Sequence, residues 1–182
     1  METMSASWLL LIYSVPREPS RLRASIWRDL KRVGAVYLRD GVAVLPARPE
    51  TVAALRAVAD QVEAFQGEAT LIEDARLAPR RAEALAEQSR AARSAEYAEA
   101  AREAERFLAH VRREAEHREL TCAELEELEA DLTKLRRWVE QIRTRDYFGA
   151  DGSAEVAELL ARCEAELAEF LDETYHQAEA AP

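Results

Sequence analysis

The sequence predicts an α+β protein in two parts: a small βαββαβ domain over residues 1–76 and an acidic long-helix extension over residues 77–182. Three observations carry this reading. Short apolar runs alternate with helical periodicities in the first 76 residues, and strand signals end there. Beyond residue 77, apolar residues recur three and four apart through three long segments, as buried helix faces require. The charge changes at the same place. Ten basic and ten acidic side chains lie up to Arg76, but fifteen and twenty-five from Leu77 onward.

The elements follow in order. "WLLLIYSV" (Trp8–Val15) is a continuous apolar run rich in aromatic and branched residues, the mark of a buried strand. Pro16 and Pro19 end it, and Ser20 is placed to cap a helix. In that helix Leu22, Ile26, Leu30 and Val33 share one face, and Gly34 stops it. "AVYL" and "VAVLP" flank Arg39-Asp40-Gly41, a hairpin signal. Pro49 suits the first turn of a second helix, whose apolar face is Val52, Leu55, Val58, Ala59, Val62 and Phe65 and which ends at Gly67. "ATLIEDARL" supplies the fourth strand. This order is the split βαβ, or ferredoxin-like, pattern, with both helices on one sheet face.

The extension predicts three helices with coiled-coil-like seams. The first runs from Pro79 to about His117, with Tyr97, Ala101, Ala104, Leu108, Val111 and Ala115 in register. "TCAE" at Thr121–Glu124 is a capping box for the second, which carries Leu125, Leu128, Leu132, Leu135, Val139 and Ile142. After the turn "FGADGS", the third carries Val156, Leu160, Cys163, Leu167, Phe170 and Thr174. These seams can close on each other or on a second copy of the chain, a homodimer.

Composition narrows the function. The chain has 182 residues, 48% hydrophobic and 33% charged, which describes a globular protein rather than a disordered one. The net charge of −10 repels phosphate unless basic residues are segregated. Cys122 and Cys163 form neither a disulfide framework nor a zinc spacing, so a reduced, cytoplasmic protein is expected. The run Trp8–Val15 is too short to span a bilayer and lacks the flanks of a signal peptide; no membrane insertion is expected. Five glycines and no phosphate loop leave no cofactor expected, and no catalytic set of Ser, His and Asp assembles, so the reading is non-enzymatic.

Basic residues concentrate between Arg17 and Arg39. On a helical wheel Arg21, Arg28 and Arg32 lie opposite the apolar face, and with Lys31 they form a candidate anion- or nucleic-acid-binding strip. Arg23 lies at the edge of the apolar face, one turn before Trp27. That spacing predicts a buried Arg23 stacked on the indole and bonded to an acid or carbonyl. Arg23 and Arg39 are then candidate clamps that dock the acidic extension. Two Glu-x-x-His pairs, Glu114 with His117 and Glu173 with His176, have the spacing of carboxylate-bridged metal bundles. So glutamate-rich a segment yields such pairs by chance, and no metal is expected.

The blocks "WLLLIYSVP", "SRLRASIWRDLKRVGAVYLRDGVAVLP" and "LTKLRRWVEQIRTRDYFGA" resemble the N-terminal region of the ChrB chromate-resistance family. The first is carried by Arg23, Trp27, Arg28, Gly34 and the hairpin, the last by Arg136 to Phe148. The resemblance covers most of the chain. It implies a regulator of chromate-resistance operons that tunes expression of an efflux pump. ChrB proteins usually continue into a C-terminal domain, whereas this chain stops at Pro182, so it is expected to bind DNA or to pair with a separate protein like that domain. The first part is also similar to the ferredoxin-like module of PaaX-type repressors and of small CRISPR-associated nucleases. The nucleases carry a metal-binding aspartate at the end of the first strand, where this chain has Ser14, Val15 and Pro16, which disfavours nuclease activity. Two readings remain: a DNA- or partner-binding regulatory module, and a non-catalytic dimerisation module that does not touch nucleic acid.

Overall fold

The computed structural model describes residues 7–117 and 122–180. The elements are β1 (Trp8–Ser14), α1 (Ser20–Arg32), β2 (Val36–Arg39), β3 (Val42–Pro46), α2 (Pro49–Ala64), β4 (Glu68–Ala75), α3 (Pro79–His117), α4 (Cys122–Arg143) and α5 (Ser153–Ala180). The protein is α+β, with one four-stranded sheet and five helices among the described residues. The chain divides into two compact units, the first running to Ser89 and the second from Arg90, so the division falls within α3. The charge shift near residue 77 lies in the short segment between β4 and α3.

The strand order is β2-β3-β1-β4, and every neighbouring pair is antiparallel. β1 is central because it is the most apolar strand: Leu9 pairs with Leu45, and Leu11 with both Ala43 and Leu71. Successive side chains on a strand face opposite ways. Leu9 and Leu11 therefore look toward the helices and are fully buried, as are Ile26 and Leu30 of α1 and Leu55 and Val62 of α2. α2 lies on β1 and β4, and α1 lies against α2. Arg56 of α2 fixes the side with two bonds to Glu73 of β4, at 2.6 and 2.9 Å. The opposite sheet face carries Leu10, Ile12, Val42, Val44 and Ile72, of which Ile12 is 44% and Ile72 41% exposed.

One local expectation needs correction, and two expected turns show how they are built. Pro19, not Ser20, occupies the cap position of α1, and no side chain caps the helix there. The hairpin has only Gly41 in the left-handed region (φ +72), with a register shift between Tyr37 and Arg39. The expected hairpin is thus a bulged one. Gly41 is required for a second reason: a Cβ there would sit 2.5 Å from the Tyr13 carbonyl oxygen. At the end of α2, Gln66 takes the positive φ (59°), while Gly67 lets the Ser14 carbonyl approach.

The second unit has its own core. Tyr97, Ala104, Leu108 and Val111 of α3 meet Leu128, Leu132, Leu135, Val139 and Ile142 of α4, and Val156, Cys163, Leu167 and Phe170 of α5. These are seam positions of the sequence reading. α5 departs from it by one residue: Leu159 is buried, and Leu160 is only partly so. Ala100 and Ala104 leave room for close approach, and the Cys163 thiol reaches the Ala104 carbonyl at 3.5 Å. Thr121, part of the expected capping box, lies outside the described residues.

Candidate nucleic-acid interface

Helix α1 positions the candidate site. It turns Ile26 and Leu30 into the core, so the residues between them face away from it. A bond of 3.2 Å from the Gln61 amide to the Ser25 hydroxyl ties α1 to α2 and fixes its rotation. Arg21, Arg23, Trp27, Arg28, Lys31 and Arg32 are consequently all exposed. The helix carries five basic side chains and one acidic one, Asp29. Asp29 is spent on Arg32, with which it forms an ion pair at 3.0 Å. What remains is a cationic helix face in a unit whose overall charge is balanced.

The expected strip of Arg21, Arg28, Lys31 and Arg32 lies on this face. The expected clamp does not form as predicted. Arg23 is exposed rather than buried, and the cation over the Trp27 ring is Lys31, with Nζ 5.8 Å from the ring centroid. Arg39 is likewise exposed at the end of β2, and neither Arg23 nor Arg39 makes an ion pair among the described residues. An arginine at the edge of an apolar face has a stem long enough to carry its head into water, and Arg23 does so.

Beside the strip, a groove of about 350 Å³ runs between α1 and α2. Its floor is Val33, Ala54, Ala57 and Val58, and Asp29 and Arg32 stand at its rim. The groove is shallow and open, so its contribution is shape beside charge.

Of the metal candidates, Glu114 is the one whose side chain is described. Glu114 faces His110 at 3.4 Å and Arg113 at 3.8 Å. The side chains of His117, Glu173 and His176 lie outside the described residues. Among those described, no three His, Cys, Asp or Glu side chains gather in a metal-binding cluster.

The sequence reading missed a buried charged network in the second unit. Arg93, 8% exposed, donates to Glu96 at 2.8 Å, and Arg145 meets the other Glu96 oxygen at 3.0 Å. Burial lowers the pKa of the Arg93 guanidinium, and Glu96 opposes that effect. Next to it the Asp146 carboxylate accepts the Ala150 N–H at 3.0 and 3.1 Å and the Tyr97 hydroxyl at 3.4 Å. Together these bonds hold the turn between α4 and α5 against α3. The signal was present in "RTRDYF", whose second arginine, Arg145, and aspartate, Asp146, join the network while Arg143 stays exposed.

The family described as "Protein ChrB, N-terminal" matches residues 23–181. A curated relative, "Protein ChrB" of Cupriavidus metallidurans, is 36% identical over 66 residues. That stretch is 36% of this chain and 20% of the relative, so the match spans about a fifth of the relative's length. No solved structure matches the chain significantly.

Proposed function

The chain belongs to the ChrB N-terminal family, and from that premise we propose a regulatory module of chromate resistance whose α1 face binds DNA. The observation that carries the DNA contact is the exposed row of Arg21, Arg28, Lys31 and Arg32 with one acidic residue among them. Single exposed charges contribute little, so the row acts as a collective phosphate-binding patch. The role is binding and not catalysis. The order β-α-β-β-α-β with strands β2-β3-β1-β4 supports reading the first unit as ferredoxin-like. Of α1 and α2, α1 is the basic one.

The second reading is a dimerisation or partner-docking module. Exposed Ile12 and Ile72 on the other sheet face favour it, since apolar side chains on a sheet surface suit a protein contact. The partner is a second copy or a protein resembling the remainder of the longer relative. A duplex-binding titration separates the readings. Salt-sensitive binding that the triple variant Arg21→Ala/Arg28→Ala/Arg32→Ala abolishes supports the first. A dimer with no DNA binding at low salt supports the second.

A further inference from the structure

The basic face holds one residue that phosphate binding does not use. Of the three tryptophans, Trp8 is buried and Trp138 is partly buried against the second unit's core, but Trp27 is 53% exposed. Ile26 and Leu30, both fully buried, are the anchors of α1, whereas Trp27 is only half covered. Arg23 and Lys31 flank it one turn to either side, about 6 Å away along the helix axis, and Arg28 is its neighbour in sequence. An indole therefore stands in solvent with cations around it.

We propose that Trp27 is a base-stacking residue, so that the α1 face prefers a nucleic acid with unstacked bases, single-stranded DNA over intact duplex. This rests on the reading of α1 as a nucleic-acid interface. In a duplex the flat faces of the bases are covered by their neighbours, and a side chain reaches them only by forcing a step open. A single strand offers those faces without that cost, and aromatic stacking with flanking cations is how sequence-tolerant strand binding is built. Lys31 covers one face of the indole. The ring's exposure leaves it open to a second stacking partner.

One other occupant fits less well. A membrane surface needs an apolar face to bury, and the apolar face of α1 is already turned into the core. An acidic protein partner would draw on the same cations, and the poly-glutamate arm of the test below separates it from a nucleic acid.

The test uses the full chain, a fluorescein-labelled oligo(dT) and a duplex of equal length, with variants Trp27→Ala, Trp27→Phe and the triple arginine variant. Oligo(dT) should bind more tightly than duplex and quench tryptophan emission. Trp27→Ala should weaken strand binding about tenfold while leaving duplex binding and far-ultraviolet dichroism unchanged. Trp27→Phe should keep most of the affinity and lose the quenching. Equal strand binding by wild type and Trp27→Ala, or no quenching, overturns the stacking role while the basic-face reading stands through the triple variant. Poly-glutamate binding with the same dependence on Trp27 also overturns it, in favour of an acidic protein partner. No binding of either oligonucleotide at low salt overturns both.

Discussion

The Lys31 ammonium lies 5.8 Å from the centroid of the Trp27 ring, one helical turn along α1. Such a pair contributes about 0.5–1 kcal/mol at an exposed site. Lys31→Ala should therefore leave the denaturation midpoint nearly unchanged and expose more of the indole. Stern–Volmer quenching by acrylamide should rise. Unchanged quenching would mean that Lys31 does not cover the ring.

Thr51 is the one polar side chain of α2 that is buried, at 1% exposure. Its hydroxyl donates to the Pro46 carbonyl at 2.6 Å and accepts the Arg48 N–H at 2.9 Å, joining the end of β3 to the start of α2. Thr51→Val keeps the shape and removes a buried bond to the Pro46 carbonyl. The expected loss is about 1–3 kcal/mol, read from urea denaturation. A loss within error would show that the junction does not depend on the hydroxyl.

Gly41 and Gly149 have nearly the same φ, +72 and +69, but different surroundings. A Cβ on Gly149 meets nothing within 4 Å, whereas one on Gly41 meets the Tyr13 carbonyl oxygen. Gly149→Ala should cost about 1–2 kcal/mol for the left-handed backbone alone. Gly41→Ala should cost more and should also weaken the 2.8 Å bond from the Tyr13 N–H to the Gly41 carbonyl. Amide hydrogen exchange at Tyr13 checks this; equal effects at both sites would contradict it.

Cys163 is buried, and burial raises its thiol from 9.0 to about 11. The folded value is above the unfolded one. The helical unit therefore gains stability while the thiol stays protonated, and loses it as pH rises from about 9 toward 11. At pH 8 the native chain should leave Cys163 unalkylated by iodoacetamide, while the urea-unfolded chain reacts. Rapid native labelling at Cys163, located by mass spectrometry, would refute the buried placement.

Elements with strong periodicity were legible in the sequence. β1, the hairpin pair and the seams of α4 and α5 are apolar runs whose spacing leaves few alternatives. The exposed strip Arg21, Arg28 and Arg32 was legible for the same reason, as the complement of the buried Ile26 and Leu30. Arg23 was not. A wheel gives the direction of a Cβ but not where a long flexible stem ends. Thr51 was missed because a polar residue on an apolar face reads as a gap unless its partners are known. The Arg93–Glu96–Arg145 network was missed because its pairing joins α3 to a turn some fifty residues later, a distance that local periodicity does not report.

The proposed function depends most on the α1 face meeting phosphate. The decisive measurement is the affinity for fluorescein-labelled DNA between about 50 and 200 mM salt, for wild type and for the folded Arg21→Ala/Arg28→Ala/Arg32→Ala variant. For wild type, log K should fall linearly with log salt concentration, and the slope should flatten by about 2–3 in the variant as its phosphate contacts are removed. No binding at low salt, or one slope shared by both proteins, would contradict it.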